Sequence, residues 1–92
     1  MILPMRFRIL HLMSKNKGLT GEEVMAALKP EYGTEGQFKK SIIDTHLLSM
    51  KAVGMIEVCD ASLDERGELR ETFQITDYGR ERLKYLPKKW QD

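Results

Sequence analysis

Cysteine is almost absent. Cys59 is the only one in 92 residues, so no intrachain disulfide can form. With only His11 and His46 beside it, no zinc-ligand set can be assembled either. That usage suits a reducing compartment. Cys59 lies in an apolar run and reads as a buried strand residue rather than a redox group. Long hydrophobic runs are missing too. The first residues are apolar only in patches, broken by Pro4, Arg6 and Arg8, which fits no signal peptide. No stretch approaches the ~20 apolar residues of a membrane span, so a cytoplasmic location is expected. The chain also lacks a Gly-rich phosphate loop, a metal-ligand cluster and a Ser/His/Asp set. Asp64 and Glu65 are a loop pair that reads as solvated rather than catalytic. The expectation is a binding protein with no cofactor and no metal, not an enzyme.

What is present is ordinary for one folded domain. Hydrophobic residues make up 41% and charged residues 32%, which argues against disorder. A chain this short supports a single core of marginal stability, to which a partner surface would add burial. Net charge is only +1, but it is unevenly placed. Residues 1–18 carry Arg6, Arg8, Lys15 and Lys17 and no acid. Residues 57–71 carry six acids against Arg66 and Arg70, and residues 80–92 are again basic. Any basic footprint for nucleic acid is therefore local.

Along the chain, Pro4 suits a helix start, and Phe7, Ile9, Leu10, Leu12 and Met13 give an apolar stripe, so a helix is predicted over 4–15, stopped by a left-handed Gly18. Thr20 followed by Glu23 is a capping box for a helix over 21–29, ended by Pro30. Thr34 followed by Gln37 repeats the pattern for a helix over 35–53, with Ile43, His46, Leu47, Met50 and Val53 at helical spacing and Gly54 as its stop. Strands are predicted over 55–59 and 69–75, joined by a polar loop over 60–68. Thr76 caps a last helix over 77–86 and a tail covers 87–92. The fold class is α+β: three helices, a β-hairpin and a C-terminal helix in a single domain over 1–92.

A two-stranded hairpin is not stable alone and must lie on the helices. Three segments in order then resemble the winged helix-turn-helix regulators. Leu19-Thr20-Gly21-Glu22-Glu23-Val24 is similar to their capped second helix. The run from Leu47 to Ile56 looks like the end of a recognition helix entering the wing, and Phe73 to Arg80 like the junction that closes it. The resemblance spans nearly the whole chain. It implies sequence-specific binding of double-stranded DNA as a small transcription regulator, with the third helix in the major groove. The candidate contacts are Thr34, Gln37, Lys39, Lys40, Ser41, Asp44 and Thr45. Asp44 would repel phosphate, and His46 falls on the inward edge and reads as packed. In the wing, Arg66 beside Gly67 is the candidate contact, but Asp64, Glu65 and Glu68 surround it. Either Arg66 alone reaches DNA or the wing faces a protein, and a winged-helix interaction module without DNA affinity is the alternative. Aromatic and apolar residues in the terminal helices, with Trp90 in the tail, point to a homodimer through the N- and C-terminal helices.

Overall fold

A computed structural model describes residues 4–34, 36 and 38–85. Helix α1 (Met5–Ser14) follows Pro4 and buries Ile9, Leu10 and Met13. After it comes β1 (Leu19–Thr20), a two-residue strand opposite Phe73 and Thr72 of the hairpin. It is too short to leave a periodic signal, and the sequence reading has no counterpart for it. Gly18 is not the left-handed stop expected of it: among the described residues only Gly54 (φ 82°) and Gly67 (φ 78°) have positive φ. Gly18 instead sits where a Cβ would come 2.9 Å from Thr72 Cγ2 and 3.3 Å from Cys59 Sγ.

Helix α2 (Gly21–Tyr32) opens with the capping box in place. The Glu23 N–H donates to Thr20 Oγ1 at 3.2 Å and the Thr20 N–H to Glu23 Oε1 at 2.9 Å. The helix does not stop at residue 29 but continues through Pro30. Pro30 lies in the last turn, so it forfeits one hydrogen bond. Burial of Tyr32, 2% exposed, and the Gly33 N–H bond to the Lys29 carbonyl at 2.8 Å keep the turn closed.

Helix α3 (Lys40–Ala52) starts later than the predicted residue 35. Thr34 is not its cap. It stands exposed in the turn after α2, and the extended Lys39 occupies the N-cap with no side-chain bond. Gln37, its supposed capping partner, lies outside the described residues. The physical reason is burial. Thr34-Glu35-Gly36-Gln37 offers nothing apolar to bury, and the first anchor is Phe38, whose ring stacks on Tyr32 at 6.5 Å. The stripe Ile43, Leu47 and Met50, at 0%, 2% and 0% exposure, then fixes α3 to a core shared with Ile9, Met13, Val24 and Leu28.

Strands β2 (Ile56–Leu63) and β3 (Leu69–Ile75) pair antiparallel, giving the sheet order β1-β3-β2. The predicted loop over 60–68 shrinks to residues 64–68, because pairing runs on to Leu63 opposite Leu69. The outer half of this hairpin is solvated on both sides, so no apolar alternation marks it. The register shifts between Val58 and Asp60, which makes Cys59 the extra residue of a bulge. Cys59 is therefore exposed, not buried; its Sγ lies 3.5 Å from the Thr72 carbonyl. Helix α4 (Asp77–Leu83) is capped by Thr76, whose Oγ1 accepts from the Gly79 N–H at 3.0 Å. It ends short of the predicted residue 86. The predicted tail 87–92 and residue 86 lie outside the described residues.

Candidate nucleic-acid interface

The same stripe that anchors α3 decides which side it presents. With Ile43, Leu47 and Met50 inward, Lys40, Ser41, Asp44, Thr45, Leu48 and Lys51 are exposed. Four of the sequence candidates therefore share one solvent face. They are not independent. Lys40 Nζ lies 2.8 and 3.0 Å from the two Asp44 carboxylate oxygens, one helical turn on. Thr45 Oγ1 donates to the Ser41 carbonyl at 2.9 Å, which leaves its lone pairs for a ligand. Lys39 is exposed at the N-cap and makes no ion pair among the described residues. Thr34 stands apart from this face, in the turn that follows α2.

The wing tip is built around one carboxylate. Asp64 Oδ1 accepts from the backbone N–H groups of Arg66 and Glu68, each at 2.9 Å, and the Asp64 carbonyl accepts from the Gly67 N–H at 3.0 Å. Gly67 takes the left-handed conformation that such a turn requires. This holds Arg66 outward at the tip, exposed and with its guanidinium free of ion pairs among the described residues.

Between α3 and the wing runs a groove of about 390 Å³. Its bases are each matched to an acid. Arg70 Nη2 lies 3.2 Å from Glu22 Oε1 in the first turn of α2 and 3.7 Å from Asp64 Oδ2 at the wing turn. Lys51 Nζ is 3.9 Å from Glu71 Oε2. Sequence reasoning missed Lys51, Arg70 and Leu48. Lys51 and Leu48 follow Asp44 on the same helical face, at seven and four residues. Both lie in the C-terminal half of the helix, beyond the N-terminal positions from which a recognition helix reaches base edges. Arg70 carried no signal toward α2, since its nearer partner in space, Glu22, is 48 positions away in sequence.

On the opposite side of α3, His46 is half-buried, with Nδ1 3.4 Å from Arg6 Nη2 of α1. Burial first, and the Arg6 charge second, hold its imidazole below the usual value. The ring is thus neutral at neutral pH and away from the exposed face.

A helical pair with a polar-faced third helix, followed by a projecting hairpin and a closing helix, is a winged helix-turn-helix domain. Solved structures share it. The PadR-like transcriptional regulator of Bacillus cereus is 26% identical, with TM-score 0.72 over 94% of this chain and 80% of its own. A protein put forward as a transcriptional regulator in Thermoplasma acidophilum is 26% identical, with TM-score 0.66 over 86% of this chain and 72% of its own. Bacillus subtilis PadR, solved in complex with operator DNA, has TM-score 0.71 at 22% identity. The match covers 91% of this chain but only 50% of that one. No family model matches the chain, and no curated protein matches it.

Proposed function

We propose that this chain binds double-stranded DNA sequence-specifically as a small transcriptional regulator, with α3 in the major groove. The observation that carries the reading is the uncovered polar face of α3 beside a projecting wing. Its fold-mate PadR was solved on operator DNA. In this reading Lys39 meets phosphate, while Ser41, Asp44 and Thr45 face base edges, where Asp44 can accept from cytosine N4. Lys40 exchanges its Asp44 carboxylate for phosphate, and Arg66 touches the backbone or minor groove. Thr34, in the turn after α2, and Gln37 complete the proposed contacts. The protein acts by binding and carries out no chemistry. We place it in the cytoplasm, in keeping with its single thiol. Among the described residues no helix is long and apolar enough to cross a membrane.

We further propose a homodimer through α1 and α4. Tyr78 and Tyr85 are exposed at 48% and 72% on and just after α4, and α4 packs beside α1. Pairing there would set two α3 helices toward half-sites about one DNA turn apart. A second reading, a protein-interaction module without DNA affinity, is favoured by one observation: the acids that line the wing groove. Fluorescence anisotropy on random duplex DNA across a salt series separates the two. Regulator binding gives affinity that falls steeply with salt, and Lys39→Ala/Lys40→Ala lowers the slope by ~2, about 1 for each lost phosphate contact. Absence of binding at low salt would favour the second reading. An unchanged slope in the double variant would remove these two lysines from the contact.

A further inference from the structure

The side of α3 assigned to base edges carries more hydrogen-bond acceptors than donors. Asp44 has only acceptor oxygens. The Thr45 hydroxyl spends its proton on the Ser41 carbonyl at 2.9 Å, which leaves Oγ1 an acceptor. The Ser41 hydroxyl can turn either way. Lys40 is the strong donor, and its Nζ is engaged by both Asp44 oxygens, at 2.8 and 3.0 Å. This pair is not loose on the surface. It lies on the first residue of α2: a Cβ on Gly21 would come 3.1 Å from Asp44 Oδ1 and 3.4 Å from Lys40 Nζ. Gly21 is not one of the glycines with positive φ, so its backbone does not require glycine. The close approach of the pair does.

On the DNA reading above, on which this inference rests, Lys40 leaves Asp44 for a phosphate. The carboxylate then enters the major groove without its cation and needs a donor on a base. Cytosine offers N4–H with no acceptor beside it on the same base edge. Adenine offers N6–H next to the N7 acceptor. Guanine N7 and O6 and thymine O4 are acceptors only, and they repel a carboxylate. We propose that Asp44 selects the operator by exclusion: it requires a cytosine at one position of the site and penalises guanine and thymine there, and Gly21 is the positioning residue that seats it. The discrimination is more a penalty on wrong sequences than a gain on the right one. A polar group left unpaired on burial costs more than its hydrogen bond returns when made.

Selection from a random-sequence duplex library tests it, with the full-chain parent, Asp44→Asn and Asp44→Ala run in parallel and the bound DNA sequenced. The parent is expected to enrich cytosine at one position. Asp44→Asn should enrich adenine there, since an amide pairs with N6 and N7, and Asp44→Ala should enrich no base there. Fluorescence anisotropy then compares the enriched duplex with a counterpart in which that cytosine is guanine. The parent should bind the counterpart about tenfold more weakly. Asp44→Ala should bind both alike, its gain falling mainly on the guanine duplex. Gly21→Ala should cut the parent's ratio about threefold while its thermal midpoint stays at or above the parent's, because alanine is the better helix former. A glycine with a merely structural role would leave that ratio alone, so an unchanged ratio overturns the seating by Gly21. An Asp44→Ala that keeps the parent's preference at every position overturns the selection by Asp44. So does a gain equal on both duplexes, which is the effect of charge removal alone. Parent binding that falls with salt but shows no base preference overturns this inference and leaves DNA binding standing, whereas a parent that binds no duplex at low salt overturns both.

Discussion

Gly79 is the residue on which the closing helix turns. It is buried in the first turn of α4, against the Met55 carbonyl and the Ile75 side chain. The Met55 carbonyl also accepts from the Thr76 N–H at 3.1 Å and from Thr76 Oγ1 at 3.1 Å. Backbone from the end of α3, the cap of α4 and the base of the sheet thus meet at one point with no room for a Cβ. Gly79→Ala is expected to destabilise the fold by about 1–3 kcal/mol, as overpacking does, even though alanine is the better helix former. In a domain of this size that lowers the thermal midpoint by at least ~4 °C. A midpoint equal to or above the parent's would show that α4 can shift away from Met55 freely. Side chains of this kind were legible only in part. Thr20 and Thr76 announce their helices, because a cap is a local bond between residues a few positions apart. The constraint on Gly79 comes from a carbonyl 24 positions earlier, and no local pattern carries it.

Elements are held to one another by few polar ties, and the best formed joins α1 to α2. Arg8 donates to Glu31 from Nε at 2.9 Å and from Nη2 at 2.7 Å, a two-pronged geometry suited to carboxylate. The hydrogen bond to Arg8 holds the Glu31 carboxyl below its ordinary value. A carboxylate with a depressed folded pKa adds stability that is present above the unfolded value, about 4.3, and is lost as pH falls through the folded one. Glu31 is partly exposed, so Glu31→Gln should cost only about 0.5–1 kcal/mol at pH 7. The gap between variant and parent in urea denaturation should close by pH 3. A gap that persists unchanged at pH 3 would place its origin in packing rather than charge. Element boundaries show where sequence patterns mislead. The Thr34 to Gln37 spacing imitates a capping box, but a box needs an apolar face behind it, and in α3 that face begins only at Ile43. Pro30 looked like a stop, yet one lost bond in a final turn is outweighed by burying Tyr32. The outer half of the hairpin was invisible because strand periodicity records burial on one face, and Asp60 to Leu63 are exposed. The helices of the core and the exposed side of α3 were legible because Ile43, Leu47 and Met50 mark one side unambiguously.

At the scale of the whole molecule, charge is divided rather than scarce. The net value of +1 conceals basic terminal segments and an acidic hairpin, and the hairpin projects beside the face that α3 presents. On the proposed reading of DNA, Lys39 and Arg66 are the cations in position that have no ion pair among the described residues. Glu65 and Glu68 flank Arg66 at the same exposed tip. Two unit charges about 10 Å apart in water interact by about 0.4 kcal/mol. Two such acids near phosphate therefore cost about 0.8 kcal/mol before screening, or roughly a fourfold loss in affinity. Glu65→Gln/Glu68→Gln should accordingly strengthen binding to duplex DNA about threefold to fourfold at low ionic strength. The gain should vanish near 1 M salt, where the screening length falls to about 3 Å. Fold stability should be unaffected, because the turn is held by Asp64 and not by these two side chains. Arg66→Ala should move affinity the other way over the same salt range. If the acid-removing variant binds DNA no better at any salt concentration while Lys39→Ala/Lys40→Ala still weakens it, α3 meets DNA with the wing turned away. The hairpin's acids would then face only protein.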